Sequence, residues 1–401
     1  MDKAHEDFEL CEVHLPELEM ETVKEEKKEK QDKEEPAKEE DETRLHKTIL
    51  MEKMTEAGLL PLVDGPYDST GSIHFAHGTD FETADIPNMR TAFLHYAASL
   101  QCGHAAAAVK VGEFFVLGYN TVRIDWVYAK LLFTWAYYQK SDLKAAVWLA
   151  RLALSAGTGR GGKFETRESK TNTFKEANKK EATGWLTVAL QRRYPAALFL
   201  AAHAGTFQEQ IAEWSNEDRK KAKQVMQSEM TAGFPDSCFF YAVFVADLNA
   251  KKGEWADWPC VWKAVPVGHA EAQWWVSRCG WLKGVPFPLK TQSSSEMPDE
   301  EDVVTLRCIN ALTTAALQNH PFAMADLSTV HLRSPSTFAK GHEWAKKAAK
   351  AGATNGFWNV GVCLWLGWGC TKNTTAAIEF FTTAAEHGHA GALAKIYLTA
   401  A

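Results

Sequence analysis

Apolar and small side chains recur at helical spacing along most of the chain. Near the C-terminal end, the segment Trp344–Gly352 has an aromatic residue, two alanines four and five positions later, and then a glycine. Phe380–Gly388 repeats this order 36 residues further on. An aromatic residue and a small residue four positions apart lie on one face of a helix. Paired alanines let a neighbouring helix approach, and glycine supplies the left-handed backbone that ends a helix. The period therefore predicts a repeat of two helices.

Similar patterns predict helices in much of the remaining chain. The expected helices are Ala105–Leu117, Asp125–Gln139, Asp142–Ala156, Ala177–Arg192, Pro195–Ala204, Asn216–Thr231, Asp236–Leu248, Trp258–Pro266, Ala270–Lys283, Asp302–Gln318, Phe322–Leu332, Asn355–Leu366 and Ala390–Ala401. Ser215 and Asp218 have the spacing of a capping box. The order Gly-His-Ala occurs at His104, His269 and His389. Because the histidine takes the same position each time, we expect it to have a structural or capping role rather than to catalyse a reaction.

The C-terminal repeat resembles a known family. Residues 361–370 follow the pattern G-x2-L-x2-G-x-G-C, and residues 376–388 follow A-A-x2-F-x3-A-A-x2-G. These patterns are similar to the Sel-one-like repeat, a relative of the tetratricopeptide repeat. The resemblance extends to about five further repeats but not to roughly the first 85 residues. It implies an all-α protein, a right-handed α-solenoid of helical hairpins of about 36 residues, that acts as an adaptor or assembly scaffold.

Composition divides the chain into three parts. Residues 1–43 hold 18 acidic residues and 7 lysines, and we expect this acidic, Lys-rich tail to be disordered because it has little apolar surface to bury. Glycine and proline break up residues 44–88, which form an irregular lead-in. The repeats occupy residues 89–401, with a basic insertion at 157–180 and a loop at 285–301.

The sequence also limits the cellular compartments in which we expect the protein. The chain begins without an apolar run of signal-peptide length, and no stretch approaches 18 uninterrupted apolar residues. Its eight cysteines lack CxxC pairs, which fits reduced thiols. We therefore expect a cytoplasmic protein, with the nucleus as the alternative, and neither secretion nor a membrane span.

No catalytic constellation stands out in the sequence, so we expect no enzyme, cofactor or metal. His74 and His77 have a spacing that metal ligands use, but no Cys or carboxylate group accompanies them. The segment 157–163 imitates a phosphate-binding loop, yet Phe164 stands in place of the required Ser or Thr.

The charge of the repeats argues against nucleic acid as the partner. Outside the tail, 33 acidic residues stand against 37 basic ones, whereas phosphate binding needs a concentrated cationic face. The first helices also lack the regular polar pair with which helical-repeat proteins read RNA bases. We expect a non-enzymatic scaffold or adaptor that binds a protein segment in the groove of the solenoid. The alternatives are an RNA-binding helical-repeat protein and an assembly factor or regulatory subunit of an enzyme complex.

In the family, the first helix of each repeat lines the concave side. Matching the other first helices to the Gly361 spacing places eight residues at the groove: Lys110, Glu113, Phe114, Trp274, Arg278, Trp358, Asn359 and Val362. The site is expected to centre on Trp274 and Arg278, with Arg278 in the place of the expected glycine. The apolar helix Ala390–Ala401 has no following repeat to cover it, which makes it a candidate surface for self-association.

Overall fold

The structure is a computed structural model of the chain, and it describes residues 48–59, 70–156, 173–204, 207–246, 261, 263–283, 300–389 and 391–392. Several predicted features lie outside the described residues: the tail at 1–43, most of the insertion at 157–180, most of the loop at 285–301, and the last nine residues of the helix Ala390–Ala401.

The described residues are mainly helical and contain no β-strand; a single backbone bridge joins Gly118 and His269. In chain order the helices are α1 (48–56), α2 (Ser72–Thr83), α3 (Met89–Gln101), α4 (Ala105–Leu117), α5 (Trp126–Lys140), α6 (Leu143–Ala156), α7 (Thr173–Gln191), α8 (Pro195–Ala204), α9 (Gln208–Ala212), α10 (Asn216–Thr231), α11 (Pro235–Phe240, continued by a π-helical turn at Tyr241–Ala246), α12 (Ala270–Lys283), α13 (Glu300–Leu317), α14 (Pro321–His331), α15 (Phe338–Lys350, after a 3-10 turn at Pro335–Thr337), α16 (Thr354–Leu366) and α17 (Thr374–Glu386).

Two kinds of helix can be distinguished among the described residues. Every residue of α4 except Ala106 is buried, whereas α10 buries only Ala222 and Met226 among its 16 residues. We call α2, α4, α6, α8, α11, α12, α14 and α16 the inner helices, and α3, α5, α7, α10, α13, α15 and α17 the outer helices. Each inner helix packs against an outer helix next to it in the chain. The hairpins therefore bury their apolar faces against one another, as repeat proteins require.

A left-handed residue separates an outer helix from the next inner helix. Glycine takes this place before α4, α12 and α16, where Gly103, Gly268 and Gly352 have φ values of 84°, 87° and 78°. A Cβ atom is strained in this conformation, so glycine is favoured. Asn319, with φ of 65°, takes the place before α14, because asparagine tolerates the left-handed region better than most residues.

A second glycine sets the distance between the two helices of a hairpin. Gly112 lies eight residues after the N-cap of α4, and Gly361 lies eight residues after the N-cap of α16. A Cβ atom added at Gly112 would lie 2.6 Å from the ring of Phe133 on α5, and one added at Gly361 would lie 2.5 Å from the ring of Phe381 on α17. The glycine therefore lets an aromatic ring of the outer helix lie directly on the inner helix in both repeats.

In α12 this position belongs to Ser277, eight residues after His269, and the prediction that Arg278 occupies it was shifted by one residue. Ser277 is buried, and its hydroxyl group donates to Trp274 O at 2.6 Å. A small side chain that bonds back to its own helix can replace glycine there. In α14 the corresponding residue is Ser328, which is also buried.

The all-α class and the predicted hairpins are confirmed in the described residues. The predicted bounds of α4, α8, α10 and α12 agree with the structure, and the capping box of Ser215 and Asp218 is present. The predicted lead-in at 44–88 contains α2, which was not expected. This helix packs on α3 as an inner helix, with Gly78 beneath the ring of Tyr96.

We predict that Gly112→Ala lowers the free energy of unfolding by about 1–3 kcal/mol, because the buried ring of Phe133 must move to admit the methyl group. Gly184 on α7 is the matched control, since it is exposed and a Cβ atom there would meet nothing within 4 Å. Gly184→Ala should raise the stability by about 0.5–1 kcal/mol through helix propensity. Urea denaturation measures both. Equal effects of the two substitutions would contradict the proposed contact.

Candidate functional site

Histidines cap three inner segments at the place where each begins. The contacts are from Ala272 N–H to His269 Nδ1 (3.1 Å), from Ala323 N–H to His320 Nδ1 (3.2 Å) and from Ala392 N–H to His389 Nδ1 (3.1 Å). A ring nitrogen that accepts a hydrogen bond carries no proton, so these imidazoles cap in the neutral form. The expected capping role is confirmed for His269 and His389, whereas His104 makes no such bond.

Charged side chains on the inner helices meet inside the protein. Lys110 Nζ of α4 lies 2.8 Å from Glu82 Oε2 of α2 and 3.2 Å from Glu113 Oε2 of its own helix. On its other side, Glu113 accepts hydrogen bonds from Lys144 Nζ at 2.6 Å and from Trp148 Nε1 at 3.0 Å, both on α6. These contacts connect three successive inner helices.

The charges hold one another in the ionised state. Burial disfavours the ammonium group of Lys110, but the carboxylates of Glu113 and Glu82 outweigh burial and raise the pKa of Lys110. Burial likewise opposes ionisation of Glu113, yet Lys110 and Lys144 lower its pKa below the ordinary value. Each group is therefore charged at neutral pH because its partners are present.

Arg151, near the C-terminal end of α6, extends this network to α11 and α12. Its two terminal nitrogens lie 3.0 Å from Asp236 Oδ1 and 2.6 Å from Glu271 Oε2, and its guanidinium group lies 4.3 Å from the ring of Trp148. Burial opposes ionisation of Asp236, but Arg151 and His269 outweigh it and lower the pKa of Asp236. We call the chain of contacts from Glu82 to Glu271 the inner polar ladder.

The inner face continues at α12, α14 and α16 with different chemistry. Trp274 Nε1 donates to Asp326 Oδ2 at 2.8 Å. Arg278 Nε lies 3.8 Å from the same oxygen, and the Arg278 guanidinium group lies 5.4 Å from the Trp274 ring. Burial raises the pKa of Asp326 despite the nearby Arg278. Asp326 is therefore less well compensated than the carboxylates of the ladder.

Asn359 joins α16 to α14. Its side-chain nitrogen lies 3.1 Å from Ala325 O, 3.3 Å from Ser328 Oγ and 3.1 Å from Thr329 Oγ1. Asn359 is buried, so this amide group fixes two inner helices relative to each other through contacts that water does not compete for.

The structure places the eight predicted groove residues in two groups. Five are buried, with exposed fractions of 1% to 7%: Lys110, Glu113, Phe114, Trp274 and Asn359. The remaining three are partly exposed: Arg278, Trp358 and Val362. Trp274, the expected centre, packs between His320 and Phe322 with ring centroids 5.5 Å and 5.4 Å away. A partner therefore cannot reach the Trp274 ring without a rearrangement of the fold, whereas it can reach the second group.

The polar ladder also contains residues that the sequence did not single out: Glu82, Lys144, Arg151, Asp236 and Glu271. All of them except Glu82 share a signal, which is their position in the helix. We count from the residue that directly precedes each helix. Two residues after it stand Lys144, Asp236 and Glu271, and nine residues after it stand Glu113, Arg151 and Arg278. On a helix these positions fall on one side. Counting from the helix start therefore identifies the inner face.

His74 and His77, noted in the sequence for their spacing, do not pair with each other; His74 pairs with His95. His74 is buried and its Nδ1 lies 3.0 Å from His95 Nδ1, while His77 is exposed. Within the described part of the chain, no group of three His, Cys, Asp or Glu side chains is arranged to hold a metal ion. No helix in that part combines the length and apolar composition that crossing a bilayer requires.

Comparisons with known proteins return helical-repeat structures. No family model matches the chain, and no curated protein matches it. One similar solved structure is a protective antigen of uropathogenic Escherichia coli strains that displays an SLR fold; it is 15% identical over 88% of this chain and 71% of that chain, with a TM-score of 0.37. Another is a Sel1 repeat protein from Oxalobacter formigenes, which is 16% identical over 89% of this chain and 93% of that chain, with a TM-score of 0.37. Both of these similar structures are described as Sel1-type repeat proteins.

We predict that Lys110→Met lowers the free energy of unfolding by about 3–5 kcal/mol, because it leaves Glu82 and Glu113 buried without their shared cation. Lys130→Met is the matched control. Lys130 on α5 pairs with Glu181 at 2.8 Å, but its side chain is 42% exposed, so its loss should change stability by less than about 1 kcal/mol. Urea denaturation at pH 7 compares the two variants, and a small loss for both would show that the ladder does not stabilise the fold.

Stability should depend on the protonation of His320. Burial lowers the pKa of His320 to about 4, against about 6.5 in an unfolded chain. Because the folded pKa is the lower one, the unfolded chain takes up the proton first as the pH falls. This residue should therefore remove roughly 3 kcal/mol of stability between pH 6.5 and pH 4.

His320→Asn keeps a capping oxygen but cannot titrate, so its stability should fall less steeply in this pH range than that of the unaltered protein. Urea denaturation at several pH values measures the slope. The exposed His77→Asn serves as control and should leave the slope unchanged. A variant at position 320 with the original slope would exclude His320 as the source.

Proposed function

We propose that the protein is a non-enzymatic interaction scaffold that binds a protein segment on the inner face of α12, α14 and α16. One observation supports this position above all. In the ladder, the side chains of Lys110, Glu113 and Arg151 are 9%, 3% and 6% exposed, and Lys144 at its edge is 37% exposed. In the contact of Arg278 with Asp326, by contrast, both side chains are partly open, at 27% and 24%. We call the surface formed by Arg278, Asp326, Thr329, Trp358 and Val362 the open inner face.

The open inner face carries the groups that protein interfaces favour. Trp358 and Arg278 belong to the residue types enriched at binding hot spots. Val362 and Trp358 remain partly exposed although both pack against the cluster that contains Phe381, and Asp326 offers a partly exposed acceptor whose pKa is raised by burial. This mixture suits an extended or helical segment that presents one apolar side chain and at least one hydrogen-bond donor.

The ladder itself supports a structural role rather than catalysis. Its carboxylates and cations pair with one another at 2.6–3.2 Å, and pairing keeps them ionised. A general acid or base needs a pKa near the working pH and access to a substrate. A role as assembly factor or regulatory subunit is one use of the same docking face. RNA binding fits less well, because the open inner face pairs its one arginine with a carboxylate.

Thr329→Arg should block the open inner face. Thr329 on α14 is exposed, and its hydroxyl group bonds back to Ala325 O at 3.2 Å and accepts from Asn359 Nδ2 at 3.1 Å. The Asn359 amide keeps Ala325 O and Ser328 Oγ as acceptors in the variant. Thr382 on the outer helix α17 is the control for an exposed threonine, since it bonds back to Ile378 O at 2.9 Å. We expect peptides selected by display on the purified full chain to bind Thr329→Arg at least about tenfold more weakly, and Thr382→Arg unchanged.

The selected peptides and the two variants are compared by isothermal titration calorimetry, with melting temperatures recorded to verify folding. Equal binding to both variants would place the docking surface elsewhere. Trp274→Ala is unsuitable for this test, because removal of a buried tryptophan destabilises the fold by roughly 3–5 kcal/mol.

A further inference from the structure

The loop between α4 and α5 contacts parts of the chain that are far away in sequence. We call residues 118–125 the strap. Gly118 forms a backbone bridge with His269, Asn120 N–H donates to Gln318 Oε1 at 2.7 Å, and Ile124 N–H donates to Gln318 O at 2.8 Å. In a simple repeat array each unit contacts only its neighbours. The strap is therefore an additional connection between repeats that are not adjacent in the chain.

The Gln318 side chain holds this connection. Besides accepting from Asn120, it donates through Nε2 to Gly268 O at 3.0 Å and to Gln273 Oε1 at 3.1 Å. Gln318 is only 7% exposed, so these bonds form where water does not compete for them. The fit is close, since a Cβ atom at Gly268 would lie 2.5 Å from Asn120 Nδ2. One buried amide group thus joins the strap to the start of α12 and the end of α13.

The closed strap has a strained backbone. Gly118, Tyr119 and Asn120 have φ values of 76°, 50° and 53°, so three consecutive residues are left-handed. Glycine adopts this conformation without penalty and asparagine tolerates it, but a bulky residue such as tyrosine is disfavoured there. Such strain persists only where the surrounding structure holds it in place, and here the bonds of Gln318 do so.

Tyr119 also lacks a full set of contacts in the closed strap. Its side chain is 2% exposed, with the ring centroid 4.9 Å from that of Phe114 and 5.5 Å from that of His269. Its hydroxyl group has no hydrogen-bond partner among the described residues. A buried polar group without a partner is destabilising, because it has given up its bonds to water. The strained backbone and the unbonded hydroxyl group both favour release of the strap.

The two ends of the strap are held differently. Ile124 is 7% exposed and lies in the apolar cluster that contains Ala270 and Trp274. The next residue but one, Trp126, has its ring centroid 5.7 Å from that of Phe322. These apolar contacts anchor the end next to α5. Residues 118–121 are held by the ring contacts of Tyr119, by turn bonds from Thr121 N–H and Val122 N–H to Gly118 O, and by the bond of Asn120 N–H to Gln318. Of these, the bond to Gln318 ties the turn to a distant part of the chain.

We propose that residues 118–121 are a latch, held closed by Gln318, whose release uncovers the inner polar ladder next to His269. In the closed state Tyr119 covers His269, whose Nε2 lies 3.3 Å from Asp236 Oδ1. In the released state Tyr119 and Asn120 leave the left-handed region, and the tyrosine hydroxyl group regains bonds to water. The latch thereby controls access to the buried half of the inner face and is separate from the docking surface at α12–α16.

Hydrogen–deuterium exchange of the full chain, read by mass spectrometry, tests the latch. Gln318→Ala removes the side-chain bonds, and we expect amide exchange of residues 119–122 and 269–273 to accelerate at least tenfold while α15–α17 exchange as before. Asn359→Ala is the matched control, because it removes another buried amide that joins two inner helices. It should accelerate exchange in α14 and α16 but not in the strap.

Tyr119→Phe tests whether the unbonded hydroxyl group destabilises the closed latch. It deletes the unbonded hydroxyl group and keeps the ring, so the closed state should gain stability and the strap amides should exchange at least threefold more slowly. Three results would each overturn the proposal. These are unchanged strap exchange in Gln318→Ala, an acceleration in that variant spread evenly over all helices, and faster strap exchange in Tyr119→Phe.

Discussion

Burial of charged side chains on the inner helices is the constraint on which the rest of the structure depends. Lys110, Glu113 and Arg151 lose their water when the hairpins pack, and the loss is tolerable only if an opposite charge lies at hydrogen-bond distance. Their partners come from other repeats, as in the contacts of Arg151 with Asp236 and Glu271. Because a displaced helix would leave a buried charge unpaired, the ladder defines how successive inner helices are placed.

The small residues of the inner helices leave the room that this placement of the helices needs. Gly112 and Gly361 admit the rings of Phe133 and Phe381 from the outer helices, so each outer helix lies close against its inner partner. The same side of every inner helix then faces inward. A charged residue two or nine positions after the residue that precedes the helix falls on that side in α4, α6, α11 and α12. Close packing and the polar ladder are therefore two consequences of one repeating geometry.

The inner face is not uniform, and the proposed function rests on this difference. On α2, α4, α6, α11 and α12 the protein fills this face with its own paired charges, and the strap covers part of them. From α12 to α16 the contacts are fewer: Asp326 receives one hydrogen bond from Trp274 at 2.8 Å and lies 3.8 Å from Arg278. Incompletely compensated polar groups beside apolar surface are what a partner can improve by binding. A single array can thus combine a half whose charges pair with one another and a half that, under the proposed function, accepts a partner.

The sequence by itself determined the period and most of the helices after residue 89, because these depend on residues only a few positions apart, whereas α2 was not predicted. The capping box of Ser215 and Asp218 is one such local signal, and the position of Gly361 eight residues after the N-cap of α16 is another. It also placed Lys110, Glu113 and Arg278 on the inner face. Only the tertiary structure decided that Trp274 is buried and that Arg151 meets residues 85 and 120 positions away. Those contacts depend on small rotations that accumulate from repeat to repeat, and no single stretch of sequence encodes that sum.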